Sequence, residues 1–153
     1  MKRNLKIILS IAFMFVIAIT LTGCGSEGET KVSGKDWPSG VSYIPNLPYE
    51  GKGSIVEFKE DKELEEYSIY INGATLDSAN EYIQKLYDNG WTKMNMFSDD
   101  GDLLKTPKKD NFYKLGFDSS DEKSAVVVII HDGNPKVNGI EYNLVLTFAN
   151  MDY

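Results

Sequence analysis

The chain has 153 residues, 16 basic and 23 acidic side chains, and a formal net charge of −7, which is room for one domain. Lys2, Arg3 and Lys6 precede the single cysteine, Cys24, and no acid does, so the remainder carries 13 basic against 23 acidic groups (−10) and no arginine. This balance argues against a nucleic-acid partner or docking on an anionic bilayer, both of which need clustered Lys and Arg, and one cysteine rules out an internal disulfide.

The chain opens with a basic stretch, "MKRNLK" (1–6), followed by the charge-free apolar run "IILSIAFMFVIAITL" (7–21) of 15 residues. A membrane-spanning helix needs about 20 apolar residues, so the run has the length of a signal-peptide core rather than of a spanning anchor. Leu21-Thr22-Gly23-Cys24 follows it directly. A branched apolar residue, two small ones and then cysteine resembles the bacterial lipobox. The resemblance implies a signal peptide over residues 1–23, cleavage before Cys24, and diacylglycerol on the Cys24 sulfur. It thus places the protein on the extracytoplasmic face of a cell membrane, held by its lipid. Two or more acyl chains make such an anchor lasting, because each buried methylene adds about 0.8 kcal/mol. "GSEGETKVSGK" (25–35) has one apolar residue, Val32, and cannot order itself. Residues 24–36 therefore read as lipidated cysteine and flexible tether, spanning roughly 20 Å. Residues 37–153 remain for the folded domain.

"WPSGVSYIPNLPYEGKG" (37–53) contains Pro38, Pro45 and Pro48, which forbid a helix. Its apolar residues are too many for a free loop. It reads as a strap across the domain, covering part of the sheet face that a helix leaves open, and Trp37, Tyr43 and Tyr49 make it a candidate binding surface. "SIVEFKE" (54–60) alternates, with Val56 and Phe58 on one face. After a charged turn, "EEYSIYIN" (65–72) puts Tyr67, Ile69 and Ile71 inward, so the two form an antiparallel pair. The period then changes. In "TLDSANEYIQKLYDNG" (75–90), Leu76, Ala79, Ile83, Leu86 and Gly90 fall at steps of three and four, Thr75 is placed to cap the helix start, and Asn89-Gly90 closes it.

"WTKMNMF" (91–97) reads as a strand and "SDDGDLLKTPKKD" (98–110) as a polar loop. "NFYKLGF" (111–117) turns Tyr113, Leu115 and Phe117 to one side. "KSAVVVIIHD" (123–132) is apolar on both faces, the mark of a central strand. "GIEYNLVLTFAN" (139–150) alternates, with Ile140, Tyr142, Leu144, Leu146 and Phe148 inward. The fold class is α+β: a two-layer sandwich with a mostly antiparallel sheet, order β-β-α-β-β-β-β, and one main helix. The Trp-Pro opening, the Ile-Pro and Leu-Pro steps and "G…YIQKLYDNGW" (73–91) together resemble a domain of unknown function in small lipoproteins of Gram-positive bacteria. That resemblance covers roughly residues 37–150 and implies the fold and the anchor, with no catalytic residue to carry over.

Residues able to carry chemistry are few. His131 is the sole histidine and ends the central strand beside Asp132, just before the loop "DGNPKVNG" (132–139). A lone histidine lacks the partners of a tetrahedral metal site or a nucleophilic triad, so it reads as a strand-end residue. "SDDGDL" (98–103) superficially resembles a calcium loop, but Asp99, Asp100 and Asp102 do not keep the alternation, and the twelfth position is Asp110 rather than Glu. Glu57, Glu60, Asp61, Glu63, Glu65 and Glu66 crowd the first hairpin as a solvated, acidic turn. Nine tyrosines suit an interface or stacking on a saccharide as well as a small core. The pattern points to a non-enzymatic binding or interaction module with a protein or cell-wall partner, with no metal and no cofactor implied. The alternative is a hydrolase of cell-envelope material working with two carboxylates.

Overall fold

A computed structural model describes residues 34–97 and 100–152. Cys24, the rest of the lipobox-like stretch 21–24, all but the last residues of the expected tether, and Ser98 and Asp99 of the aspartate loop lie outside the described residues.

Strands β1 (Ser54–Asp61) and β2 (Glu66–Asn72) form the first hairpin, and helix α1 (Leu76–Asp88) follows. A two-residue strand β3 (Thr92–Lys93) leads into a 3-10 turn, Asn95–Phe97. Strands β4 (Phe112–Asp118) and β5 (Ser124–His131) come next, then the short pair β6 (Lys136–Val137) and β7 (Ile140–Glu141), and finally β8 (Leu144–Asn150). The result is α+β: a six-stranded, fully antiparallel sheet of order β1-β2-β8-β5-β4-β3, one main helix, and a separate two-stranded sheet β6-β7.

Register explains which side chains meet. Ile69, Leu146 and Val128 lie in one row across β2, β8 and β5, and Ile71, Leu144 and Ile130 in the next. This face packs into one cluster with Ala79, Ile83 and Leu86 of α1, all fully buried. Each such Leu, Ile or Phe contributes roughly 1.5–3 kcal/mol of burial free energy, so this layer dominates folding. The helix starts where the sequence places its cap: the Thr75 hydroxyl accepts from the Ser78 N–H, and the Ser78 hydroxyl accepts from the Thr75 N–H in return. It stops at Asn89 and Gly90, whose φ of +82° is the left-handed conformation that favours glycine. β5 is buried on both faces, as its unbroken apolar run predicts, and so is β8.

Five local readings are corrected. The 91–97 segment is not one strand: only Thr92–Lys93 pairs with β4, and the chain then turns through Asn95–Phe97, where the Phe97 N–H donates to the Met94 carbonyl (2.9 Å) and both side chains are buried. The long strand over 139–150 breaks at Tyr142–Asn143, where the Asn143 side chain both accepts from the Ala74 N–H (3.0 Å) and donates to the Ala74 carbonyl (2.7 Å). Beyond that break Ile140 belongs to the β6-β7 sheet, and Tyr142 turns its ring onto Tyr70, 4.9 Å away. In β1 a bulge between Ile55 and Glu57 puts Ile55, not Val56, on the face shared with Phe58. The loop after β5 folds into a hairpin on Asn138-Gly139, both at positive φ (50° and 80°), the turn chemistry of an Asn-Gly hairpin. Lastly, the strap lies on the helix side of the sheet, not the opposite one: Trp37 meets Tyr82 of α1 and Phe148 of β8. The physical reason is that α1 is too narrow to cover the β1-β2-β8 side of its own face. Over the other face lie Met94 and Phe97, pressed against Gly116, and the Tyr142 ring.

Candidate functional site

The three prolines keep the strap from coiling into a helix, a turn at Ser42 and Tyr43 folds it back as the Ile44 N–H donates to the Val41 carbonyl (3.1 Å), and named bonds fasten it. The Trp37 indole N–H donates to the Pro45 carbonyl (3.2 Å), closing the strap on itself, and Ile44 is buried beneath it. At the far end the Tyr49 hydroxyl donates to the Lys52 carbonyl (2.6 Å) and meets the Ser78 hydroxyl at 2.7 Å. The Lys85 ammonium donates to the Pro48 carbonyl (2.9 Å) and pairs with the Glu50 carboxylate (2.7 Å). Gly51 allows this closure: a Cβ there would stand 2.6 Å from the Ser78 Cβ and 2.8 Å from the Tyr49 hydroxyl.

The candidate surface Trp37, Tyr43 and Tyr49 is thereby split. Trp37 and Tyr49 flank the ring of Tyr82, with centroids 6.2 and 5.9 Å away. Trp37 also sets its edge against Phe148 at 6.0 Å and 88°. Tyr43 stands apart from them at the first hairpin, where burial, followed by the nearby Glu60 and Glu65 carboxylates, raises its pKa. Between the strap and α1 a cleft of about 220 Å³ is lined by Glu50, Gly51, Ser78, Glu81, Tyr82 and Lys85. None of these six follows from motif reading. Tyr82 does carry a signal, since it completes the stripe 79-82-86 at steps of three and four, the spacing of a buried helix face. Its hydroxyl has no hydrogen-bond partner among the described residues, and burial pushes its pKa up.

The other singled-out residues fall elsewhere. His131 sits between the rings of Phe112 (5.7 Å) and Tyr142 (5.6 Å, perpendicular) on the face opposite α1, and burial lowers its pKa from 6.5 to about 4. Beside it the Tyr142 phenol is raised to about 12, by burial first and by Tyr70 second. Imidazole therefore stays neutral there at physiological pH, a packed ring rather than an ion. Of the loop aspartates, Asp102 pairs with Lys93 (3.0 Å) and Asp100 faces the Tyr113 hydroxyl (3.5 Å). Among the described residues no group of three or more His, Cys, Asp or Glu side chains is arranged to hold a metal ion.

The perturbed carboxylates are scattered. Glu57 on β1 is lowered by its bond from Lys35 and by the Phe58 N–H, and Asp118 at the end of β4 is raised by burial. Asp121, in the turn that follows, is lowered by the Ser119 hydroxyl. None of the three lines the cleft. Among the described residues no helix is long and apolar enough to cross a membrane. No family model, curated protein or solved structure matches the chain.

Proposed function

We propose that this chain is a bacterial lipoprotein: residues 1–23 are a cleaved signal peptide, residues 24–36 a lipidated Cys24 and tether, and residues 37–153 a non-enzymatic binding module on the outer face of a cell membrane. In this reading the domain is a two-layer α+β sandwich with its sheet strands running β-β-α-β-β-β-β along the chain, α1 forming the second layer. A protein or cell-wall component is its partner, met through the strap and the cleft beside it. The observation that carries the address is the placement of the one cysteine directly after a 15-residue apolar run and two small residues. Support for binding comes from the strap, which is fastened to α1 at Tyr49 and Lys85 and leaves a polar cleft at its edge.

Growth with a radiolabelled fatty acid tests the anchor. The wild-type chain is expected to carry label and sediment with membranes, and Cys24→Ala to lose both. A Cys24→Ala chain that is still labelled and still membrane-bound would refute the reading. Cross-linking in cells followed by capture then tests the module, and repeated recovery of neither protein nor wall fragment counts against it.

A further inference from the structure

The chain has three Asn-Gly steps, at Asn72, Asn89 and Asn138. In such a step the glycine nitrogen, unshielded by a side chain, can attack the asparagine side-chain carbonyl. The five-membered ring closes only when the Asn-Gly peptide rotates out of its folded conformation. How tightly the fold holds each step therefore decides which one reacts. Two are held. Asn72 ends β2 in register with Ser54, and two residues on, the Ala74 N–H and carbonyl are both bonded to the Asn143 side chain. At Asn89 the side-chain nitrogen donates to the Lys85 carbonyl (2.8 Å), and the Gly90 N–H, the attacking group, donates to the Tyr87 carbonyl (3.0 Å). Rotation at either step breaks the end of the β1-β2 ladder or the end of α1.

The third step differs on each count. Asn138 and Gly139 are exposed, and the Gly139 N–H makes no hydrogen bond among the described residues. A Cβ on Gly139 would meet nothing within 4 Å, so the space around the attacking nitrogen is open. The hairpin holding the step is two pairs long, Lys136 with Glu141 and Val137 with Ile140, and belongs to a sheet of its own. A lone two-stranded hairpin is marginal in water, so it opens at lower cost than the six-stranded sheet or α1.

We infer that Asn138 is a site of spontaneous covalent modification, converted to aspartate and isoaspartate through attack by the Gly139 nitrogen. The N–Cγ bond forms as Gly139 gives its proton to solvent, and the Cγ–Nδ2 bond breaks as the amide nitrogen takes up a proton and leaves as ammonia. Water then opens the succinimide at either carbonyl. Cleavage at Cγ yields aspartate, and cleavage at the main-chain carbonyl yields isoaspartate. One water is consumed and one ammonia released, with no oxidant and no cofactor. Each event adds a negative charge at the edge of the sheet. The Asn138 amide donates to Glu57, and Glu57 pairs with the Lys35 ammonium, so the new carboxylate replaces a donor with a like charge. The inference goes beyond the binding-module reading and stands whether or not the chain carries a lipid.

The test is to age the folded full chain in detergent micelles at pH 8 and follow its tryptic peptides by mass spectrometry. Trypsin places the three steps on separate peptides, 63–85, 86–93 and 137–153. Expected is the mass gain of amide-to-acid conversion in 137–153, localised to residue 138 by fragmentation. Its rate is about tenfold that in the other two peptides, the ratio that an opening cheaper by about 1.4 kcal/mol gives. An isoaspartate-specific methyltransferase labels the same peptide, and Asn138→Gln removes both signals while leaving 63–85 and 86–93 unchanged. In strong urea the three rates converge, because the fold no longer selects among them. Asparagine intact at 138 after ageing, or Asn72 or Asn89 reacting as fast in the folded chain, overturns the proposal. So does a preference for 138 that persists undiminished in urea, since neighbouring residues rather than the fold would then choose the site.

Discussion

Acidification singles out His131. In the unfolded chain its imidazole titrates near 6.5, but between the Phe112 and Tyr142 rings burial lowers that to about 4. Between those values the unfolded chain holds a proton that the folded chain refuses. This group's contribution to stability is therefore complete above the unfolded pKa and is lost as pH falls from about 6.5 through about 4. The full difference of about 2.5 units corresponds to about 3 kcal/mol, and about 2 kcal/mol of it is gone by pH 5. Urea denaturation at pH 7.5 and pH 5 measures the loss. Carboxylates also begin to titrate there, so the comparison is with His131→Leu, which binds no proton and whose loss is expected to be smaller by about 2 kcal/mol. Because the chain has one histidine, its ring Hε1 proton resonance reports the folded pKa directly, without assignment. A midpoint at pH 6 or above, or equal losses in the two proteins, would refute the reasoning.

Two further substitutions probe the packing that holds the sheet. Gly116→Ala places a Cβ 2.5 Å from the Phe97 ring and 2.8 Å from the Met94 sulfur, so overpacking is expected to cost about 1–3 kcal/mol. Calorimetry checks this, and an unchanged melting temperature shows that the 3-10 turn does not press on β4. Asn143→Ala removes both bonds to the Ala74 backbone and is expected to cost about 2–3 kcal/mol. Asn143→Asp keeps the acceptor but sets a carboxylate oxygen against the Ala74 carbonyl, so it is expected to cost at least as much as Asn143→Ala, and an alanine variant as stable as wild type would mean that the break before β8 has another cause.

Local patterns announce themselves along the chain because their causes lie within a few residues. The Thr75 cap, the 3.6-residue stripe through Ala79, Ile83 and Leu86, and the doubly apolar β5 each follow from neighbours in sequence. The Asn138-Gly139 hairpin is missed by the loop reading although its turn residues are local, because strands of two residues on either side show no period. The 3-10 turn was harder, since Trp91, Met94 and Phe97 sit in a run short enough to pass for a strand. In the site, Tyr82 is half legible: its spacing predicts burial, and nothing near it predicts a hydroxyl without a partner.

What brings Asn143 to Ala74 is the order β1-β2-β8-β5-β4-β3, which sets the last strand beside the second, and what brings Glu50 to Lys85 and Tyr49 to Ser78 is the docking of the strap against α1. Period and turn chemistry state which side of an element turns inward. They carry no information on which inward surfaces meet, because that depends on burying the most apolar area over distances the local chain does not sense. The bulge in β1 and the strap's choice of the helix face were settled in that way. The lipobox proposed for Leu21 to Cys24 belongs to the opposite extreme: the resemblance rests on four consecutive residues, and no tertiary contact is needed to read it.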